Sequence, residues 1–409
     1  MFDLVLPTLN DIVGALSMIA DVVGEGLVGI SLGWAAKPTG IGFIIGLIFL
    51  LGFRSVAPVS FEVESLTIVS RIAKRQWHIM IYAVMIAGIV GAILGSIGAY
   101  SSIVNFIGPA IQYGMMTGVG IILSIVAIDL IKENRVIGII SAGSAFIIFF
   151  ATSFDPSNLI YALAGSVVIC VVVSRFRKFE PILPDAAREK ISMVLPWRNL
   201  GQLFRSYQAT EDIPDPKNLG GVVRKKVIKK LTRIDKILIV RAALALLALR
   251  TGTSIAYPSI DADLAHVHAV TGNGASVFDA TNIMAGLSGF TSAFLGGSPI
   301  EPIITGTAAA PNPVVSAAIM MAIAATILLL GLIGKAAKYI PIQSVTGFLL
   351  VLGALIIFPG NAPQAMKADP IVGGVSAVVT GATMDPFIGL VAGLIVKGLV
   401  TLFPMPAAS

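Results

Sequence analysis

The chain has 409 residues, of which 56% are hydrophobic and only 12% are charged. Soluble domains carry about 25% charged residues, so the composition excludes a soluble enzyme, a disordered chain and a nucleic-acid-binding protein, despite a net charge of +6. The class that remains is a protein that crosses a membrane many times. The single cysteine, Cys170, excludes a disulfide framework and a cysteine-based metal site.

The apolar segments begin close to the N-terminus. Met1 to Asp11 carries no Lys or Arg, so no cleavable signal peptide is predicted. Seven apolar segments then precede a polar linker, at 12–33, 39–53, 56–72, 78–98, 103–131, 136–152 and 157–174. Several are shorter than the about 20 residues that an ordinary membrane-spanning helix needs.

The linker at 176–236 concentrates the positive charge. Fifteen of the 28 basic residues lie between Arg175 and Lys236. The run from Arg224 to Lys236 predicts a basic amphipathic helix on the membrane surface. We interpret the linker as a solvated segment that is attracted to anionic lipid.

Seven apolar segments follow the linker, at 237–258, 277–292, 298–309, 312–334, 342–358, 370–383 and 386–404. Four features of the first half recur here in the same order: Pro58 and Pro299, LGSIG and LGLIG, GPAIQYGMMTG and IPIQSVTG, and Asp155-Pro156 and Asp385-Pro386. Inverted repeats with matched interrupted segments are typical of secondary transporters. The predicted fold is therefore an all-α polytopic membrane protein with 14 transmembrane segments as 7+7 inverted repeats, at 1–175 and 237–409.

The third and tenth segments, SVAPVSFEVESL and GGSPIEPIITGT, are interrupted by proline and glycine. A residue that precedes proline is extended, so each segment is expected to start as a short strand and to continue as a half-helix. Inverted repeats would bring Ala57–Phe61 and Ser298–Ile303 together, and the two strands could pair. The half-helix N-termini would point N–H groups at an anion or a carbonyl oxygen. The alternative is that the prolines only kink two helices.

Charged residues inside membrane segments are costly and therefore indicate function. Glu62 and Glu64 follow the first strand, Glu301 lies in the second, and Arg250 lies in the middle of the eighth segment. Glu25 lies at a comparable depth in the first segment. Arg250 needs an acceptor, which could be Glu301, Glu62, Glu25 or the substrate. A structural ion pair that fixes helix register is the alternative.

The candidate substrate-binding residues come from both broken segments and the eighth segment: Ser60, Phe61, Glu62, Arg250, Thr251, Thr253, Ser298, Pro299, Glu301 and Thr305. The candidate ion-coupling residues are Glu301, Glu62 and Glu25. The hydroxyls of Thr251, Thr253 and Ser254 could donate to substrate or equally bond back to their own helix.

The stretch DADLAHVHA contains Asp261, Asp263, His266 and His268. It is interpreted as a solvent-exposed loop, because no third ligand is spaced for a metal. No nucleophile–base pair or carboxylate dyad appears in a water-accessible context. Neither catalytic residues nor a metal or cofactor is predicted, and the chain is not expected to be an enzyme.

The stretch DATNIMAGLSGFTSAFLGGSPIEPIITGTAAAP and the later IPIQSVTGFLLVLGALI resemble the second half of the nucleobase–ascorbate permeases. IVNFIGPAIQYGMMTGVGIILSIVAI resembles the fifth span of their adenine, guanine and hypoxanthine branch. The resemblance implies core and gate domains, with both broken helices in the core, and symport coupled to H⁺ or Na⁺. Sulfate permeases share this fold but usually end in a soluble regulatory domain, which is not expected in the few residues after Pro404.

The chain departs from that family at the site. The resemblance implies an acid in the middle of the eighth segment, where Arg250 stands, and a second acid in the tenth half-helix, where Ile304 and Thr305 stand. An arginine suits an anion, because a guanidinium binds carboxylates and oxyanions in a bidentate manner. The resemblance therefore extends to the fold but not to the substrate.

Positive charge also predicts the orientation. With the loops numbered by fourteen segments, 23 of the 28 basic residues fall on one side and two on the other. The positive-inside rule places the linker in the cytoplasm and both termini outside. The family's usual arrangement is the reverse.

The leading hypothesis is an ion-coupled secondary transporter of nucleobase-like (purine) solutes in the cell (inner) membrane, which works by alternating access. The alternative is a transporter or channel for an oxyanion or a small carboxylate on the same fold. A non-transporting scaffold or sensor is disfavoured, because it has no use for intramembrane charge. The expected partners are a small-molecule substrate and lipid, with a homodimer considered and nucleic acid excluded.

Overall fold

The computed structural model describes residues 6–74, 76–155, 158–176, 205–214, 222–267, 270–336 and 340–403. The helices are α1 (Leu9–Ser31), α2 (Ala36–Phe53), α3 (Val63–Ile72), α4 (Trp77–Ser96), α5 (Ala99–Ile107), α6 (Pro109–Glu133), α7 (Arg135–Ala151), α8 (Asn158–Phe176), α9 (Arg233–Leu264), α10 (Val277–Phe294), α11 (Pro313–Leu329), α12 (Ile333–Ala336), α13 (Thr346–Leu350), α14 (Phe358–Ala368), α15 (Pro370–Thr383) and α16 (Pro386–Leu402). A π-helical turn, Val351–Ile357, joins α13 to α14. The strands are β1 (Val59–Ser60), β2 (Ser206–Pro214), β3 (Val222–Lys230) and β4 (Glu301–Pro302).

Seven helical stretches among the described residues are long and apolar enough to cross a membrane: Leu9–Ile30, Ala36–Phe53, Trp77–Ser96, Pro109–Glu133, Asn158–Phe176, Arg233–Leu264 and Ile342–Ala368. Four shorter apolar helices of 10–17 residues accompany them. The chain is an integral multi-pass membrane protein. The count of fourteen segments, the 7+7 inverted repeat and the repeat boundaries stay predictions.

Local sequence sets where these helices begin. Thr8 and Thr232 cap α1 and α9 through reciprocal bonds with Asp11 and Asp235, which satisfy N–H groups that have no partner within the helix. Proline stands in the first turn of α6, α11, α15 and α16. Its missing N–H is no loss at that position.

The helices pack in two groups. In the first bundle, α10 lies against α4 and α2, α11 against α2 and α1, and α9 against α4. In the second bundle, α6 lies against α14 and α15, α7 against α8, and α16 against α15. The bundles meet where α9 contacts α6 and α16 and where α1 contacts α8. Glycine permits the closest approach within the first bundle, since a Cβ on Gly88 would lie 2.7 Å from the carbonyl oxygen of Gly286.

The two broken segments cross inside the first bundle. β1 and β4 pair antiparallel, with Val59 opposite Pro302 and Ser60 opposite Glu301, which confirms the predicted pairing. β1 continues into the half-helix α3 as expected. β4 is followed only by a 3₁₀ turn, Gly306–Ala309, so the second half-helix is not formed. Pro311 and Pro313 follow at once and leave too few residues for one.

The basic helix predicted for 224–236 is wrong over most of its length. Residues 222–230 form β3, which pairs antiparallel with β2 from Ser206 opposite Lys230 to Pro214 opposite Val222. Helix begins only at Arg233. Four β-branched residues in β3, Val222, Val223, Val227 and Ile228, favour the strand. Linker residues 177–204 and 215–221 lie outside the described residues.

Candidate functional site

A fully buried ion pair lies beside the crossing of β1 and β4. Arg250 donates from Nε to Oε2 of Glu301 at 2.6 Å and from Nη2 to Oε1 at 2.5 Å. Its Nη1 donates to the carbonyl oxygen of Ala87 at 3.0 Å. Both charged side chains have no solvent exposure. The guanidinium therefore ties α9 to β4 and to α4.

Small residues and prolines make room for this pair. Glu301 precedes Pro302, which holds it in the extended conformation that a strand requires. Gly91 of α4 faces the guanidinium, and a Cβ there would lie 2.8 Å from Nη1 of Arg250. Any larger side chain at this position would displace the arginine.

Ser60 and Glu62, from the first broken segment, lie near the ion pair of Arg250 and Glu301. Ser60 is opposite Glu301 in the strand register. Its hydroxyl is fully buried and has no hydrogen-bond partner among the described residues. Glu62 is 4% exposed, accepts a hydrogen bond from the Ser65 hydroxyl and is close enough to act on Arg250 electrostatically. The side chain of Glu64 lies outside the described residues.

Three other candidates pack around the crossing. The Phe61 ring lies 5.4 Å from the Phe43 ring, and Pro299 is buried. The Ser298 backbone N–H donates to the Thr39 hydroxyl at 2.9 Å, which attaches the second broken segment to α2. These residues support the site from the side of α2.

The hydroxyls of α9 bond to their own helix, the alternative that the sequence left open. Thr251 donates to the carbonyl oxygen of Leu247 at 2.8 Å, and Thr253 donates to that of Leu249 at 3.3 Å. Ser254 instead donates to Oδ1 of Asn282 in α10 at 2.8 Å. In this conformation the two threonines act within the helix.

Glu25 is half-buried in α1. Among the described residues, Glu301 and Glu62 act electrostatically on Arg250. The role of Glu25 in ion coupling stays a prediction.

A further carboxylate, which sequence reasoning placed in a wet loop, lies inside the protein. Asp261 belongs to α9 and is fully buried. Its Oδ1 accepts the backbone N–H of Thr305 at 3.0 Å, while Oδ2 has no hydrogen-bond partner among the described residues. The helix ends only at Leu264, so the loop interpretation is wrong for Asp261 and Asp263. The signal that could have identified Asp261 is that it follows directly on the mainly apolar stretch 255–260, which continues α9 through Pro258.

His266 does lie past the helix end and is exposed, and His268 lies outside the described residues. Asp263, one turn before His266, is also exposed. Asp261 is therefore buried, whereas Asp263 and His266 are exposed.

A cavity of about 840 Å³ opens between the two bundles beside the end of α9. Ile260 and Asp263, which lie one residue before and two residues after Asp261, line it together with Ile357, which precedes α14. Its other polar lining residues are Tyr113, Asn158, His266, Asn361 and Gln364. The cavity has the volume of a small-molecule site, and Ile260, which precedes Asp261 in α9, forms part of its wall.

A polytopic membrane protein whose interrupted segments meet at buried charges has the architecture of a secondary transporter. The transmembrane domain of a cyanobacterial bicarbonate transporter, BicA, is similar to this chain with a TM-score of 0.52 and 15% identity, over 94% of this chain and 97% of that one. The murine Solute Carrier 26 anion transporter Slc26a9, in its inward-facing state, is similar with a TM-score of 0.54 and 12% identity, over 98% of this chain and 69% of that one. No protein-family model matches the chain, and no curated protein matches it in sequence.

These similarities show the fold, and they overturn the expected membership of the nucleobase–ascorbate permeases, because the neighbours are SLC26/SulP anion transporters. The physical reason lies in the residues that carried the resemblance. A Cβ on Gly297 would lie 2.5 Å from the backbone nitrogen of Thr39, and Gly347 packs on the backbone of Ser141. Such glycines are required by close packing of broken segments and carry no information about substrate.

Proposed function

We propose that the chain is a secondary transporter of a small anion, an oxyanion or a carboxylate, that works by alternating access. The observation that carries the proposal is that a chain with the fold of two anion transporters buries an arginine at the crossing of its broken segments. Ser60, whose hydroxyl has no hydrogen-bond partner within the described ranges, lies opposite Glu301, the residue that holds this arginine, in the strand register. Ser60 is therefore a further candidate donor for a bound anion.

The charge balance of the site supports coupling to a cation. Glu62, Asp261 and Glu301 are three buried carboxylates around the two broken segments, and among the described residues Arg250 is the one buried guanidinium. Uncompensated buried charge is costly, and an added anion increases the imbalance. We infer that H⁺ or Na⁺ enters with the anion and that Asp261 receives it, because its Oδ2 has no hydrogen-bond partner in the described part of the chain. Glu301 and Glu62 remain candidates for the same role.

Transport into proteoliposomes tests the proposal. We expect saturable, gradient-dependent uptake of at least one of bicarbonate, sulfate and a small carboxylate, and no uptake of purines. A current without saturation or coupling would indicate a channel instead. Failure of every anion, together with saturable uptake of a purine, would contradict the proposal.

Ser60→Ala provides the site-specific arm of this experiment. Loss of a hydrogen bond to a charged ligand should raise KM about tenfold while the protein remains folded. Ser124→Ala is the control, because the Ser124 hydroxyl donates within its own helix to the carbonyl oxygen of Gly120. An unchanged KM in Ser60→Ala would remove Ser60 from the binding site.

A further inference from the structure

A basic and apolar surface lies where the β2–β3 hairpin joins α9. We call it the junction surface, and its described members are all exposed: Ile228, Lys229, Lys230, Arg233, Ile234, Lys236 and Ile237. The three isoleucines expose 58%, 69% and 51% of their surface. Arg224, Lys225 and Lys226 precede them in β3. The only acid between Arg224 and Lys236 is Asp235, which is engaged in the cap of α9.

The base of the hairpin is fixed to the membrane helices. Tyr82 of α4 donates from its hydroxyl to the carbonyl oxygen of Ser206 at 2.8 Å. The His78 ring stacks on the Tyr207 ring with centroids 3.8 Å apart. The Leu231 backbone N–H donates to the carbonyl oxygen of Arg205 at 2.9 Å. The junction surface is thereby held at the level where α4 and α9 begin.

Exposed isoleucines interleaved with lysine and arginine at the end of a membrane helix fit one partner. Apolar side chains enter the boundary between headgroups and acyl chains, while the basic side chains contact phosphates. Clusters of four to eight basic residues next to a membrane helix bind anionic lipid. A soluble acidic partner would leave the isoleucines uncovered. We propose that the junction surface binds anionic phospholipid headgroups of the adjacent leaflet and holds α9 at a fixed depth.

A fluorescent reporter at Ile228 tests this inference independently of transport. The full chain carries Ile228→Cys with Cys170→Ser, is labelled with an environment-sensitive fluorophore and is placed in phosphatidylcholine nanodiscs with increasing phosphatidylglycerol. We expect a saturable blue shift in emission. The shift should disappear at about 1 M salt, where the screening length falls to about 3 Å.

Two double variants of the labelled protein distinguish lipid binding by the junction surface from a general effect of positive charge. Lys229→Gln with Lys230→Gln should weaken the apparent affinity for phosphatidylglycerol roughly thirty-fold, about fivefold for each charge. Lys132→Gln with Arg135→Gln removes the same amount of charge from the same end of the molecule. Gln112, near the start of α6, bonds to Ser259, near the end of α9. The end of α6, where Lys132 lies, is therefore at the level where α9 begins. This control should leave the affinity unchanged.

Three results would overturn the proposal. The first is no blue shift with phosphatidylglycerol, and the second is an equal shift in phosphatidylcholine alone, which would mean that protein or neutral lipid covers Ile228. The third is an equal loss of affinity in both double variants. The unlabelled chain gives a second measurement, since its thermal stability should rise with phosphatidylglycerol and this rise should be smaller in Lys229→Gln with Lys230→Gln.

Discussion

At the scale of single residues, the pair of Arg250 and Glu301 explains how a charge can persist in the middle of this fold. The carboxylate takes two donors of the guanidinium, and Ala87 takes a third. A substrate anion that used Arg250 would have to share it with Glu301 or displace it. Binding of substrate by Arg250 stays a prediction for another conformation.

The stability of this pair can be measured by a double-mutant cycle. Glu301→Leu leaves a buried guanidinium without its partner and should cost about 3–5 kcal/mol of unfolding free energy. Arg250→Met combined with Glu301→Leu removes both charges and should recover most of that loss. The measurement is the thermal unfolding midpoint of the wild type, both single variants and the double variant in one detergent. Additive losses would show that the pair does not interact as the structure indicates.

Asp261 gives a prediction about coupling. Asp261→Asn keeps an acceptor for the Thr305 N–H and nearly the same shape, but it cannot carry the charge that attracts H⁺ or Na⁺. Uptake should lose its dependence on the cation gradient while the unfolding midpoint changes little. Asp129→Asn is the control, because this exposed carboxylate of α6 pairs with Lys132 and does not line the cavity. Retained gradient dependence in Asp261→Asn would assign coupling to Glu62 or Glu301.

At the scale of elements, glycine contacts set the spacing of the first bundle. A Cβ on Gly286 of α10 would lie 2.5 Å from the carbonyl oxygen of Gly88 and 2.7 Å from the backbone nitrogen of Ala92. Gly286→Ala therefore pushes α10 away from α4, and overpacking of this kind costs about 1–3 kcal/mol. The expected result is a lower thermal unfolding midpoint.

Gly143→Ala is the control for that change. Gly143 lies inside α7, and a Cβ there would meet nothing within 4 Å. Alanine favours a helix over glycine by up to about 1 kcal/mol, so this variant should be as stable as the wild type or more so. Equal midpoints for Gly286→Ala and Gly143→Ala would contradict the α4–α10 contact.

The elements differ in how well sequence alone predicted them. The pairing of β1 with β4 was predictable, because prolines force extended backbone locally and each broken segment carries one. Asp261 was not, because DADLAHVHA is polar and its burial depends on Thr305, 44 residues later in the chain. The β2–β3 hairpin was also missed, since a basic run suits a surface helix and a strand equally until its partner strand is known.

The same distinction applies to the site. Arg250 and Glu301 were recognisable because charge in an apolar segment needs a partner. Which of Glu301, Glu62 and Glu25 pairs with Arg250 depended on how distant segments cross in the fold. A local sequence pattern does not predict such a crossing. The resemblance misled about family because packing glycines recur wherever helices of this kind meet.

At the scale of the whole molecule, the distribution of basic residues predicts an orientation. Lys229 precedes α9 and His266 follows it, so the 32 residues of α9 separate them across the membrane. A membrane-impermeant maleimide should label His266→Cys in intact cells and Lys229→Cys only after permeabilisation, since the positive-inside rule places the linker in the cytoplasm. Cys170 is buried and should remain unlabelled. The opposite labelling pattern would place the linker outside the cell and contradict this orientation.

The division into two bundles predicts that a cross-link between them stops transport while the buried charged residues stay unchanged. In alternating access one bundle rocks against the other around a fixed site, so contacts between bundles must break while contacts within a bundle persist. Gln112 of the second bundle donates to the Ser259 hydroxyl of the first at 3.0 Å. Cysteines at these two positions, in a Cys170→Ser background, should abolish uptake when they are cross-linked. Reduction should restore uptake, because only the relative motion is blocked.

Ser254 and Asn282 provide the matched pair for this experiment, since both lie in the first bundle and their side chains bond at 2.8 Å. A cross-link between cysteines at these positions ties α9 to α10, which move together in a rocking bundle, and should leave uptake intact. Uptake by proteoliposomes in the oxidised and reduced states measures both pairs. Equal loss for both would indicate motion inside the first bundle, with α9 shifting against α10. Equal retention would mean that the contact between Gln112 and Ser259 does not open during the transport cycle.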